Sequence, residues 1–88
     1  MRIRLKETIL YTMNKAVAKA IRDLRKKRGI SQEKLADMID SHQVYISEIE
    51  RGLKMPSLPV LYAMAKCFGV SLSESVAIIE RNMENEDK

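Results

Sequence analysis

The chain is predicted to be all-α, a bundle of five helices in which the second and third form a helix-turn-helix. Three observations predict it. Residues 31–52, SQEKLADMIDSHQVYISEIERG, hold two amphipathic runs: Leu35, Ala36 and Ile39 fall at helical spacing, and Ile46, Ile49 and Leu53 repeat it beyond a break at Asp40, Ser41 and His42. The rest of the chain is punctuated by helix starts and stops, at Gly29, Ser31, Pro56, Ser57, Gly69 and the pair Ser71 and Glu74. Finally, 88 residues with 45% hydrophobic content and no tryptophan allow one domain with a small core, and not the pocketed interior of a typical enzyme.

Residues 1–13 form a basic N-terminal extension with two open readings. Ile3 and Leu5 alternate with Arg2, Arg4 and Lys6 as a short strand would, while Ile9, Met13, Ala16 or Val17, Ala20 and Leu24 extend one helical stripe backwards. Such a segment is either an arm that reaches the DNA backbone or a partner subunit, or an extension packed on the domain or frayed.

The domain proper is drawn at residues 14–82. Its first helix runs from about Asn14 to Arg28, with Val17, Ile21 and Leu24 on the core face and Lys26, Lys27 and Arg28 complementing the dipole in the last turn, before Gly29 ends it. Ser31 caps the second helix, with Gln32 and Glu33 in its first turn. The third is capped by Ser41 or His42. With Ile46 and Ile49 inward, Gln43, Val44, Ser47, Glu48 and Arg51 make the outer stripe, a polar face of short side chains suited to a major groove about 12 Å wide.

Gly52 closes that helix, Leu53 is expected to return to the core, and Pro56 blocks continuation before Ser57 caps a fourth helix. Leu58, Leu61, Met64, Ala65 and Phe68 form its expected buried stripe, and Pro59 is tolerated in the first turn. Ser71 and Glu74 make a capping box for a fifth helix. There Leu72, Val76, Ile79 and Met83 recur at coiled-coil-like steps, more apolar surface than a domain this small buries. The excess is read as a dimer interface of Val76, Ile79 and Met83; the alternative is a cap over the core by Leu72 and Val76 alone. Residues 83–88 are a polar tail.

The formal charge is +4, but residues 1–28 hold ten lysines and arginines against Glu7 and Asp23, so the remainder is net acidic. A basic half feeding a helix-turn-helix supplies phosphate contacts, which dominate affinity for DNA and make it salt-dependent. The single cysteine, Cys67, cannot form an internal disulfide, and with one histidine there is no metal constellation; Cys67 reads as packing, and no cofactor is implied. No nucleophile has a candidate base near it in sequence, and no phosphate loop is present, which argues against an enzyme. There is no signal-peptide pattern and no apolar run near the roughly 18 residues a membrane span needs, so no membrane partner and a cytoplasmic location are expected.

Several separated motifs carry a resemblance: SQEKLA at 31–36, YISEIERG at 45–52, Pro56 with Ser57, and Leu61 through Ala65 to Phe68, Gly69 and Val70. Over roughly Val17 to Val76 the chain resembles the Cro and phage-repressor type helix-turn-helix family, also called the XRE family. The resemblance implies a five-helix, lambda-repressor-like domain and a sequence-specific regulator of transcription on double-stranded DNA. A twofold homodimer would set two reading helices about 34 Å apart on a pseudo-palindromic operator.

The resemblance also implies roles for residues. Arg25 pairs with Glu50 while leaning towards the DNA backbone, and Gln32 donates to a phosphate. On the reading helix Gln43 suits adenine, Val44 a thymine methyl, and Glu48 the cytosine amino group or the rejection of wrong sequences. Tyr45 and Ser47 approach the backbone, and Arg51 with Lys54 completes a phosphate clamp. The chain departs from the family at the tight turn, where Asp40 and Ser41 stand for the usual glycine and apolar residue. RNA polymerase is a further expected partner of such a regulator. The competing reading is a protein-interaction module, such as an antitoxin bound to a toxin.

Overall fold

A computed structural model describes residues 4–86 and shows, among them, five α-helices and no strand: α1 Leu5–Arg28, α2 Gln32–Met38, α3 Gln43–Glu50, α4 Leu58–Phe68 and α5 Leu72–Glu86. Within the described part of the extension the helical reading holds and the strand reading does not. α1 starts at Leu5 and runs unbroken for 24 residues, about 36 Å at the usual rise. Ile9 and Met13 continue the apolar stripe of the same helix backwards, with Met13 packed against the core, so propagation adds hydrogen bonds without a new nucleus. Ile3 and Arg2 lie outside the described residues. The boundaries drawn at 13/14 and 82/83 both fall inside helices, α1 and α5.

The caps act as the residue types dictate. Ser31 Oγ accepts the Lys34 N–H at 2.9 Å, and Ser57 Oγ accepts that of Val60 at 3.4 Å. Ser71 and Glu74 exchange both bonds of a capping box at 3.0 Å, and accepting the Ser71 N–H holds the Glu74 carboxyl below the usual carboxylate range. His42, not Ser41, occupies the cap of α3, without a side-chain bond.

One helix end decides the geometry of the tight turn. α1 ends with Ile30 N–H on the Arg25 carbonyl and Gly29 N–H on that of Lys26, around a left-handed glycine. α2 ends in the same double bond, Ser41 N–H to the Ala36 carbonyl at 2.8 Å and Asp40 N–H to that of Asp37 at 3.2 Å, but around Asp40 at φ 58°. An aspartate there is strained by its Cβ, less than most residues but more than glycine. Asp40→Gly is therefore expected to stabilise the domain by up to about 1 kcal/mol without moving α3, as read by urea unfolding. A destabilised variant would show that the Asp40 side chain makes up for its own strain.

Ile21, Leu35, Ile46, Ile49 and Met64 are fully buried at the centre of the molecule. Small residues on α1, Ala16, Ala18 and Ala20, let the other helices approach closely; α1 packs mainly along α5 and across α3. Asn82 Nδ2 donates to the Ala16 carbonyl at 3.1 Å and ties α5 to α1. Three expectations are corrected. Leu53 is 62% exposed, because the left-handed Gly52 turns the chain outward before it. Leu58 is also exposed: it stands in the first turn of α4, beside an open apolar pocket shared with Pro59, Tyr62 and Leu72. Ile79, assigned to a dimer interface, is only 7% exposed and belongs to the chain's own core, which leaves Val76 exposed and Met83 half-buried on that face of α5.

Candidate nucleic-acid interface

α2 and α3 meet across a turn of four residues, and what α3 leaves outside is the predicted stripe. Gln43, Val44 and Arg51 are exposed, Ser47 and Glu48 half-buried, and Ile46, Ile49 and Glu50 buried. Val44 is 65% exposed in the first turn, an apolar side chain held in water. Tyr45 is half-buried and packs against the core, so its ring anchors the helix.

Behind the stripe lies a chain of polar contacts that begins in α1. Arg25 grips Glu50 through both carboxylate oxygens, Nε to Oε2 at 2.6 Å and Nη2 to Oε1 at 3.0 Å, and its Nη1 donates to the Ile30 carbonyl at 2.9 Å. The two side chains are 11% and 4% exposed, so the pair implied by the resemblance is indeed inside the protein. Hydrogen bonding to Glu50 raises the Arg25 pKa above its ordinary value, against burial, which pushes the other way. All these donors point inward, and the contacts of Arg25 are structural.

Gln32 continues the chain. Its Nε2 donates to Glu50 Oε1 at 3.1 Å, and its Oε1 accepts from Gln43 Nε2 at 2.9 Å. The first residue of α3 is thus connected to α1 through α2. Gln43 commits one N–H to this link and retains its carbonyl oxygen and second N–H, the acceptor and donor that an adenine edge requires. Gln32 likewise keeps one N–H. Further along the stripe Glu48 lies 3.5 Å from Lys54, which offsets the repulsion a carboxylate would meet near phosphates.

Sequence reasoning missed two features. The Gln32 to Gln43 bond joins residues on different helices, and no periodicity announces it. Arg51 borders a pocket of about 220 Å³ with Lys15, Lys19 and Arg22 of α1, so the basic half of the chain reaches the end of α3; Lys19 is held there by Asp23 at 2.8 Å. The spacing of 15, 19 and 22 on one helical face is the signal that pointed to it.

The remaining candidates are unremarkable in chemistry. Cys67 is half-buried and burial pushes its thiol up, away from the reactive thiolate. No cluster of metal-ligating side chains occurs among the described residues, and no single helix among them is long and apolar enough to cross a membrane.

A two-helix unit that buries one face and presents a polar stripe from its second helix, beside basic side chains, defines a helix-turn-helix domain of the DNA-binding class. Residues 21–75 match the helix-turn-helix family HTH_3, and the chain belongs to that family of XRE-type transcription regulators, which are not enzymes. It is 36% identical over 70 residues to the competence pilus inhibition repressor of Acinetobacter baylyi, covering 80% of this chain and 63% of that protein. It is 45% identical over 51 residues to the control protein C.BamHI of Bacillus amyloliquefaciens, covering 57% of this chain and 63% of the relative. The chain thus spans somewhat less than two thirds of the length of these two relatives. Among solved structures it is similar to the clp gene regulator ClgR of Corynebacterium glutamicum, with a TM-score of 0.81 and 25% identity over 85% of this chain and 80% of that one.

Proposed function

We propose that the protein is a sequence-specific, double-stranded-DNA-binding regulator that acts in the cytoplasm as a twofold dimer on a pseudo-palindromic operator. One observation carries the reading: Gln43 is exposed at the first turn of α3, yet held by Gln32 and, through Glu50, by Arg25. A side chain fixed in orientation with a donor and an acceptor in hand is suited to an adenine edge, and the exposed Val44 beside it to a thymine methyl. Glu48, steadied by Lys54, accepts from cytosine. Gln32, Ser47, Arg51 and Lys54 are assigned to phosphates; Tyr45 and Arg25 act mainly by holding the helices that carry them. Occupying the operator excludes or contacts RNA polymerase.

The test is selection of duplexes from a random pool at physiological salt. The wild type is expected to enrich a palindrome. Gln43→Ala is expected to relax one position in each half-site, at about 1–3 kcal/mol of lost discrimination. Gln32→Ala is expected to weaken binding on all sequences and, by releasing Gln43, to relax the same position in part. No enrichment by a folded protein sinks the proposal and favours the second reading, a module that binds a protein such as a toxin. The open apolar pocket of Leu58, Pro59, Tyr62 and Leu72 supports that reading as a docking surface.

A further inference from the structure

At the end of the molecule where the N-terminus of α1 meets the C-terminus of α5, an apolar groove of about 500 Å³ runs between the helices, with Ile9, Met13, Val76 and Met83 on its walls and Ile79 in its lining. Its α5 rim carries Glu80 and Glu84. Beside it, α1 projects as a free end. Every residue from Arg4 to Tyr11 is exposed, Leu5 by 63% and Tyr11 by 66%, and Ile9 and Leu10 are exposed as well. No side chain caps this helix start.

An uncapped, solvated helix end gains little from its own hydrogen bonds, and large apolar residues on it favour burial over order in water. Its charges differ from those of the groove. Arg4 is paired with Glu7 at 3.2 Å, which leaves Lys6 as the excess cation of the projecting turns, whereas the rim of the groove is acidic. The two surfaces lie on one chain at one end, so a second copy related by a twofold axis presents each to the other.

We infer that the occupant of this groove is the projecting end of α1 from a second copy of the chain. The interface then comprises the N-terminal third of α1 as well as α5, with Leu5 and Ile9 of one copy against Val76 and Met83 of the other, and Lys6 towards Glu80 and Glu84. The inference rests on the dimer reading given above and adds to it the helix that completes the interface. It also accounts for Ile79: that residue forms part of the floor, and the walls are supplied by residues the core leaves open.

Analytical ultracentrifugation of the full chain, with a circular-dichroism melt of each variant, tests it. The wild type is expected to be a dimer, and Val76→Glu and Ile9→Glu are each expected to weaken association by at least about 100-fold, the range of a buried interface anchor. Leu5→Glu, at a position too exposed to support the monomer fold, is expected to do the same, which guards against an effect of Ile9→Glu on folding. Glu80→Lys with Glu84→Lys is expected to weaken the dimer about tenfold at low salt, because like charges then face Lys6. If Val76→Glu dissociates the dimer while Ile9→Glu and Leu5→Glu leave it intact, the role of α1 is overturned and the dimer through α5 stands. A monomeric wild type overturns the dimer reading itself.

Discussion

Arg25→Ala is expected to destabilise the domain by about 3–5 kcal/mol, because it strands a carboxylate that is 4% exposed with no cation to pair it. For a domain of this size that is a fall in Tm of roughly 12 °C or more. The loss is mostly the cost of leaving Glu50 charged in the interior, and much less the intrinsic strength of the pair. Removing both charges separates the two. Arg25→Met with Glu50→Leu is expected to recover most of the stability while still impairing DNA binding, since Gln32 then loses its acceptor and Gln43 its anchor. Thermal melts and duplex titrations of the same two variants measure both effects. A single variant that melts within 2 °C of the wild type would mean that the pair is solvated in solution.

The second large effect is expected at Leu35. α2 is only seven residues long, too short to persist on backbone hydrogen bonds, and among its residues only Leu35 and Ala36 are buried. Leu35→Ala is expected to cost about 2–5 kcal/mol, the transfer of the lost methyl groups plus the cavity they leave. Leu53→Ala, by contrast, is expected to lie within about 0.5 kcal/mol of the wild type, because Leu53 stands in solvent. Urea unfolding of the two variants side by side reads the difference. Equal effects would show that the chain after Gly52 folds back onto the core in solution, as its sequence pattern suggests.

That pair of leucines also shows what the sequence could and could not reveal. Helix starts were legible because a cap is a local event: Ser31, Ser57 and the pair Ser71 and Glu74 bond to amides three residues away. The inward faces of α1 and α3 were legible from period alone. Leu53 and Leu58 were not, because a stripe records which residues share a face and not whether another element covers it. Ile79 failed for the converse reason: the domain's own core covers it, whereas period alone placed it among the surplus apolar residues of α5. The start of α1 itself was ambiguous, since two alternating apolar residues suit a strand and a helix equally. At the interface the pairing of Arg25 with Glu50 came from family resemblance. The Gln32 to Gln43 bond depends on how two helices cross, and neither residue's local sequence contains that.

The bond has a thermodynamic consequence. A free glutamine side chain surrenders roughly 1.5–2 kcal/mol of rotamer entropy when it is immobilised. In this protein part of that ordering is complete in the folded domain alone, because Gln43 is already held by Gln32 and, through Glu50, by Arg25. Folding the domain and orienting Gln43 are therefore one event. On the reading proposed above, the accuracy with which α3 distinguishes bases depends on the rigidity of an ion pair on the far side of the helix-turn-helix, and conditions that loosen that pair are expected to blur recognition more than they weaken contacts to phosphates.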